Sequence, residues 1–281
     1  MLRTVSGVRQ LGPTDLPSLQ RLLDLDPVAN VFVDHQVEVT GIESRRMGGD
    51  MWGFVRRNEL VAACHAGANL VPVGADLEAM VAFADHAAGQ TRMSSSIVGP
   101  HDMVLPLWER LESAWGPARQ VRAEQPMLTV RSPSPLRPDA AVRRVVFDEL
   151  DVLYPSCVAM FTEEVGVSPE PIGGGGHYRA RVAQLISRGW AFARIEDDQV
   201  VFKAEVGVAT RRACQIQGVY VHPDYRGQGI AAPAMAAVIN VALREIAPVV
   251  SLYVNAGNLP ALRAYRRAGF AEKGMFATVL F

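Results

Sequence analysis

The sequence predicts an α/β (α+β) protein of two domains. Strand-like and helix-like apolar periods alternate along its 281 residues, a length that lets two domains each bury a core. Three prolines within residues 131–138 disfavour both a helix and a central strand there. We therefore predict domains at residues 1–130 and 139–281, joined by a linker at 131–138.

Three strand-like runs occupy the middle of the second half. Trp190–Ile195 and Val200–Thr210 are separated by a short polar turn, and Ala213–Val221 follows after another. Short polar turns between strand-like runs are typical of antiparallel hairpins. We expect three antiparallel strands in sequence. Upstream of them, Phe147–Glu164 is predicted as a helix broken at Pro155 and His177–Ser187 as a second helix, with a flexible segment at Gly173–Gly176 between them.

The third strand-like run leads into a glycine-rich turn and an alanine-rich helix. Glycines let a backbone come close to a ligand, and the first-turn N–H groups of a helix, with the helix dipole behind them, favour an anion. This junction therefore predicts a phosphate or pyrophosphate site. Its residues are Arg226, Gly227, Gln228, Gly229, Ile230, Ala231 and Ala232.

The same glycines also satisfy the dinucleotide-binding fingerprint, as Gly227-x-Gly229-x-x-Ala232. That fold places the fingerprint after its first strand, with an acidic residue roughly 20 residues on to hold the ribose. Here hairpins precede the turn, and the next apolar strand, Val249–Val254, ends in Asn255. The context disfavours a dinucleotide site.

A second constellation follows that strand. Asn258 is a good N-cap and Gly269 a good helix terminator, so a helix is predicted between them. Asn258, Ala261 and Tyr265 share one face of that helix, because they stand at positions i, i+3 and i+7. Taken alone, Tyr265 could equally be a core residue of an amphipathic helix.

Both constellations resemble signatures of one family. Arg226-x-x-Gly229-x-Ala231 resembles the acyl-CoA loop of the GNAT N-acetyltransferase superfamily, and Asn258, Ala261 and Tyr265, followed by Gly-Phe, resemble its second signature. The resemblance covers the C-terminal half. It implies a GNAT acyl-CoA acyltransferase fold there, with a mixed, mostly antiparallel central sheet flanked by helices.

The resemblance also implies an activity, the transfer of an acetyl group from acetyl-CoA to a primary amine by direct attack in a ternary complex. Pantetheine would lie along the strand ending Val219-Tyr220-Val221, and the loop from Arg226 to Ala232 would hold the pyrophosphate. Asn258 is assigned to the same CoA site. Tyr265 would protonate the departing thiolate. No metal is expected.

The general base is the open role. Many members of the family carry a glutamate on the strand before the loop, where this sequence has Gln215 and Gln217. Glu205 is the nearest carboxylate, with a salt-bridged or solvated glutamate as the alternative reading. Glu163, Glu164 or a chain of waters could serve instead. Since no base is obvious, a catalytically weak or inactive acyl-CoA-binding sensor is the alternative function.

The N-terminal half shows a similar order of elements. A strand at Val8–Leu11 and a helix at Asp15–Leu25 precede a hairpin and a further helix, and Ser95–Val98 leads through Gly99-Pro100-His101-Asp102 into a helix at Met103–Trp115. The hairpin is predicted at Met51–Val55 and Leu60–Ala66, and the helix after it at Asp76–Ala88. We predict a degenerate GNAT-like domain. Its turn at Gly99–Asp102 lacks an arginine and a second glycine, so we expect one CoA per chain.

Composition and charge limit the classes of molecule that the protein is expected to bind. The formal net charge is −1, from 28 basic and 29 acidic residues, no apolar run is long enough for a spanning helix, and the N-terminus lacks a signal-peptide pattern. We expect a cytoplasmic protein that binds neither nucleic acid nor membrane. Cys64, Cys157 and Cys214 show no metal or redox spacing. The acceptor is expected to be a small-molecule or peptide amine; the sequence leaves its identity and the oligomeric state open.

Overall fold

A computed structural model describes residues 7–74, 76–170 and 176–281 of the chain. Part of the predicted flexible segment, Gly173 to Gly175, lies outside these residues. The strands are β1 Gly7–Gln10, β2 Gly49–Arg56, β3 Glu59–Gly67, β4 Asn69–Val73, β5 Ser96–Pro100, β6 Gln120–Val130, β7 Arg143–Arg144, β8 Ala191–Glu196, β9 Gln199–Ala209, β10 Cys214–Val221, β11 Val250–Tyr253 and β12 Ala271–Leu280. The helices are α1 Leu16–Leu25, α2 Val31–Thr40, α3 Ser44–Met47, α4 Leu77–Ala88, α5 His101–Trp115, α6 Leu150–Val165, α7 Gly176–Ser187, α8 Ala231–Glu245 and α9 Leu259–Ala268.

The chain forms two compact units. The first contains the described residues up to Met127 together with Tyr253–Gly257 and Lys273–Phe281, and the second contains Leu128–Leu252 and Asn258–Glu272. The last residues join the first unit because β12 pairs with β5 from Phe276–Pro100 to Leu280–Ser96. The compact units therefore differ at the C-terminus from the predicted domains 1–130 and 139–281. The division into those two domains stays a prediction.

The first unit is a sheet with helices on both faces. Strands β1 to β4 are antiparallel neighbours, β4 pairs with β5 in parallel, and β5 pairs with β12. Because side chains alternate along a strand, Trp52 and Phe54 of β2 pack under α4 and α5, whereas Met51 packs under α1 and α2. The sheet therefore has an apolar core on each side.

The second unit has the strand order β11-β10-β9-β8-β7. Strands β8, β9 and β10 are antiparallel, as the sequence predicted, and β10 pairs with β11 in parallel with α8 between them along the chain. Leu153 of α6 and Leu185 of α7 pack on Ala193 and Val200 of the sheet. This mixed α/β architecture confirms the predicted fold class.

One prediction about local structure is wrong, and one helix was not predicted. The helix α6 continues through Pro155 without a break, because this proline stands in the second turn and removes only one main-chain hydrogen bond. Residues Val31–Thr40 form a helix that the sequence did not indicate. Valine has low intrinsic helix propensity, but Val31, Val33 and Val37 are buried in the core, so tertiary packing decides the conformation.

Candidate functional site

The strand β10 has a free edge along most of its length. Its parallel pairing with β11 covers Cys214–Val250 and Gln215–Ser251 in the register that the structure describes. The strand then continues to Val221 without a described partner on that side. Main-chain groups around Val219, Tyr220 and Val221 can therefore receive an extended ligand that pairs as an added strand would.

A β-bulge interrupts β10 at the middle of this edge. The pairing with β9 jumps from Gln217–Glu205 to Tyr220–Lys203, so two residues of β10 stand opposite one residue of β9. Gly218 has φ +60°, and a Cβ atom added to it would lie 2.9 Å from the Cδ atom of Glu205 and 3.1 Å from the Nζ atom of Lys203. Only glycine fits this conformation and this close approach.

The glycine loop after β10 is open to solvent. A 3-10 turn at Pro223–Tyr225 leads into Arg226, and Gly227 and Gly229 have φ values of +77° and +78°. A Cβ atom added to either glycine would have no heavy atom within 4 Å. The loop therefore presents bare main chain to any group that approaches it.

The N-terminus of α8 follows this loop. Its N-cap residue, Ile230, provides no side-chain hydrogen bond to the first turn. The first-turn N–H groups of Ala231 and Ala232 therefore have no side-chain cap from that position. Helix dipole, uncapped donors and bare glycines together fit a pyrophosphate.

Arg226 anchors the loop. Its Nε atom donates to the carbonyl oxygen of Val221 at 3.0 Å, and its Nη2 atom donates to Glu163 at 2.8 Å. Its guanidinium carbon also lies 5.4 Å from the ring centroid of Tyr220. The hydrogen bond to Glu163 raises the pKa of Arg226. Arg226 thus joins the loop to the C-terminal end of α6, while about half of its side chain stays exposed.

Glu205 is buried in a polar network beside the bulge. Its Oε2 atom accepts from the Nζ atom of Lys203 at 3.2 Å, and its Oε1 atom accepts from Gln217 at 3.0 Å. Glu205 and Lys203 are 7% and 1% exposed. Burial alone would lower the pKa of Lys203, but the neighbouring charge of Glu205 and the thiol of Cys157 raise it. The lysine is therefore cationic, and the two side chains form a buried ion pair.

Lys203 and Gly218 belong to this network and were not predicted from the sequence. Lys203 stands two residues before Glu205 on a predicted strand, and the period of two places both side chains on one face. A glycine inside a strand-like run is a signal for a bulge. Together, these two signals indicate that the carboxylate of Glu205 pairs with Lys203 and lies beside a bulge at Gly218.

The helix α9 carries Asn258 and Tyr265. Asn258 caps the helix by accepting from the N–H of Ala261 at 3.2 Å, and Gly269 ends it in the left-handed conformation. Tyr265 is 7% exposed, and its ring lies 6.0 Å from that of Phe270. Burial, with the negative charge of Glu164 adding to it, raises the pKa of Tyr265. The phenol therefore stays protonated at neutral pH.

The first unit has a counterpart of this loop, at another place than predicted. The parallel pair β4–β5 encloses α4 along the chain, as β10–β11 encloses α8. The counterpart therefore lies between β4, which ends at Val73, and α4, whose N-cap is Asp76, and not at Gly99–Asp102. The N-terminus of α4 is capped by Asp76, whose Oδ1 atom accepts from the N–H of Ala79 at 3.0 Å and which also pairs with Arg56. A carboxylate occupies the position where an anion would bind.

Two further properties concern the described parts of the chain. No group of three or more His, Cys, Asp or Glu residues among them is arranged to hold a metal ion. None of the helices they form is both long and apolar enough to span a membrane. All three cysteines are buried and free.

Comparisons with known proteins agree with this geometry. Residues 167–270 match the acetyltransferase (GNAT) family, and residues 49–153 match a domain of unknown function, DUF4081. The chain is 34% identical over 105 residues to the mycothiol acetyltransferase of Brachybacterium faecium, an alignment that covers 34% of this chain and 32% of that protein. The chain thus spans about a third of the length of that relative.

Solved structures resemble the whole chain. A GCN5-related N-acetyltransferase from Sphaerobacter thermophilus has a TM-score of 0.61 at 18% identity, over 97% of this chain and 94% of that chain. A tandem GNAT protein from the clavulanic acid biosynthesis pathway has a TM-score of 0.55 at 15% identity, over 98% of both chains. At these identities the likeness shows the fold alone. Residues 167–270 belong to the GNAT acetyltransferase family, and the chain as a whole has the fold of GNAT structures.

Proposed function

We propose that the second unit transfers an acetyl group from acetyl-CoA to a primary amine by direct attack, in a complex that holds both substrates. The observation that carries this proposal is the arrangement on β10 and α8: a free strand edge, a bulge and a bare glycine loop follow one another over residues 216–232. Family membership of residues 167–270 supports the same reaction class.

The residues divide the binding of CoA between them. Val219, Tyr220 and Val221 offer main-chain groups to pantetheine along the free edge of β10. The loop from Arg226 to Ala232 holds the pyrophosphate, with main-chain N–H groups at the start of α8 as the principal donors. Asn258, whose carboxamide oxygen caps α9, fixes the start of the helix that carries Tyr265.

The bulge is the proposed place of the thioester carbonyl. A bulge leaves main-chain groups out of the regular ladder, so an N–H near Gly218 can donate to the oxygen on which negative charge develops. Donors of this kind, fixed before the reaction begins, usually give a large part of the catalysis in acyl transfer. The same bulge lies directly over Glu205 and Lys203.

Glu205 remains our candidate for the group that accepts the proton of the amine. Both of its oxygens already accept hydrogen bonds, from Lys203 and from Gln217. A carboxylate has about four acceptor positions, so capacity for a further proton remains. Lys203 is then a positioning residue, because it holds the carboxylate beside the bulge.

Tyr265 is proposed to assist the departing thiolate. Its phenol is protonated, because burial raises its pKa. A phenol whose pKa lies above the ordinary pKa of a thiol stabilises a thiolate first by donating a hydrogen bond to it. We expect Tyr265→Phe to lower kcat by about 100-fold while the affinity for acetyl-CoA stays within a few-fold. The phenylalanine keeps the ring contact with Phe270.

Release of free CoA, measured with acetyl-CoA and a panel of primary amines, tests the proposed transfer and the proposed role of Tyr265. The proposal predicts that one class of amine accelerates release by the wild-type protein and that Tyr265→Phe is slow with the same amine. If the wild-type protein binds acetyl-CoA and no amine accelerates release, the protein is a sensor and the proposed transfer is wrong. If Tyr265→Phe is as fast as wild type, Tyr265 is a core residue only.

A further inference from the structure

We infer that the first unit binds a small α-amino acid with an apolar side chain, in a pocket where β5 ends and α5 begins. The pocket has a volume of 340 Å³, within the range of small-ligand sites. It lies at the carboxyl end of a strand of the parallel pair β4–β5, where α/β sheets commonly bind ligands. All of its lining residues belong to the first unit.

A fixed ammonium group lines one side of this pocket. The Oδ1 atom of Asp26 accepts from the N–H groups of Val28 and Ala29 at 3.1 and 3.0 Å, and its Oδ2 atom accepts from the Nζ atom of Lys273. Although burial opposes it, the hydrogen bond from Lys273 and those from the main chain lower the pKa of Asp26. Asp26 therefore holds Lys273 in place. An ammonium has three N–H donors, so Lys273 can still bind a carboxylate.

Acceptors line the pocket as well. The Nδ1 atom of His101 lies 2.8 Å from the carbonyl oxygen of Ala123. A carbonyl only accepts, so Nδ1 carries the hydrogen, and in the neutral form of an imidazole the other nitrogen, Nε2, is an acceptor. Asp102, the next residue, is exposed and has no ion-pair or hydrogen-bond partner among the residues described. A ligand that carries an ammonium as well as a carboxylate satisfies both Lys273 and these acceptors.

The rest of the lining is apolar. Met127 and Phe276 are buried, and Met275 and Pro100 are partly buried beside them. The ring of Phe276 stacks on Tyr253 with 5.2 Å between centroids, which fixes its orientation. Methionine side chains adapt to the shape of an apolar group. The pocket therefore combines both charges of a zwitterion with a surface for an apolar side chain.

This site is separate from the proposed acetyl transfer. Asp76 caps α4, the first-unit counterpart of α8, and none of the described residues of the second unit lines the pocket. Failure of one proposal therefore leaves the other standing. The pocket gives the first unit a ligand of its own.

Isothermal titration of the full chain with L-leucine, 4-methylpentanoate and 3-methylbutylamine tests the inference. The second and third compounds are leucine without its ammonium and without its carboxylate. We expect L-leucine to bind at millimolar concentrations or below, and each analogue to bind at least roughly tenfold more weakly. Equal binding of the carboxylate analogue would overturn the inference and leave a simple anion site.

Two variants test the location. Lys273→Met should weaken binding of L-leucine by roughly tenfold or more, because it removes the carboxylate partner. Ala29→Phe keeps the pair of Asp26 and Lys273 and places a ring in the partly exposed pocket wall, so it should abolish binding. The control is Arg110→Met, which removes an exposed cation of α5 that pairs with Asp85 outside the pocket.

The inference is overturned if L-leucine, L-methionine and L-phenylalanine all fail to bind. It is equally overturned if Ala29→Phe and Lys273→Met, each folded by circular dichroism, bind L-leucine as tightly as Arg110→Met does.

Discussion

Gly229→Val is expected to abolish binding of acetyl-CoA, with a loss of affinity of at least roughly 100-fold, or about 2.7 kcal/mol. A Cβ atom at this position meets no other atom of the protein, so the added side chain projects into open space beside the start of α8. That is the space a pyrophosphate must enter to reach the main-chain donors. Titration calorimetry with acetyl-CoA measures the effect.

Strain has to be separated from obstruction of the ligand. Gly229 has φ +78°, where a β-branched residue costs on the order of 1–3 kcal/mol. Gly116→Val is a matched control, because Gly116 has φ +76°, also has open space around its Cβ position and lies in the first unit. Both variants should lose stability through this strain, and only Gly229→Val should lose acetyl-CoA. Undiminished affinity in Gly229→Val would remove this loop from the CoA site.

Lys203→Met is expected to destabilise the protein by about 3–5 kcal/mol, because it leaves the buried carboxylate of Glu205 without its counter-charge. The midpoint of chemical denaturation measures this change. Removing both charges in Lys203→Met/Glu205→Gln should restore most of the lost stability, since no isolated charge then stays buried.

An exposed ion pair provides the comparison. Arg110 and Asp85 are 57% and 53% exposed, so Arg110→Met should change the free energy of unfolding by less than about 0.5 kcal/mol. If Lys203→Met is as mild as Arg110→Met, Lys203 and Glu205 do not form a buried ion pair. The double variant also separates stability from catalysis: if it is stable and transfers acetyl groups at the wild-type rate, the proposed role of Glu205 is wrong.

Much of the second unit could be predicted from sequence because its signals are local. The hairpins β8–β9 and β9–β10 follow from strand-like runs separated by polar turns, and Asn258 and Gly269 mark the ends of α9 by their own capping chemistry. The glycine loop could be predicted because a strand-like run precedes it and a helix-like run follows it. These features do not depend on distant parts of the chain.

Other features depend on tertiary contacts and could not be predicted. The strand β4 was not predicted. It contains Pro72, which its parallel pairing with β5 tolerates because the described pairs are confined to Asn69 and Leu70 and end before the proline. Because β4 was not predicted, the counterpart of the loop from Arg226 to Ala232 was placed at Gly99–Asp102 instead of between β4 and α4. The ion pair of Lys203 and Glu205 also required knowing that β9 is buried on both faces.

The corrected position strengthens the expectation about the first unit. The segment Gly99–Asp102 only lacks an arginine and a second glycine, whereas at the start of α4 the carboxylate of Asp76 caps the helix. Asp76 accepts from the N–H of Ala79 and pairs with Arg56, so a carboxylate already occupies the start of α4 and would repel a second anion. A second CoA in the first unit is therefore disfavoured by charge as well as by shape.

The number of acetyl-CoA molecules bound per chain tests the account most directly. Calorimetric titration of the full chain should saturate at one equivalent, because an uncapped helix N-terminus follows a bare glycine loop in the second unit, whereas Asp76 caps α4 at the corresponding place in the first unit. The same titration with Gly229→Val should show no binding. Two equivalents of comparable affinity, or one equivalent that survives Gly229→Val, would contradict the assignment of the acetyl-CoA site to the loop from Arg226 to Ala232.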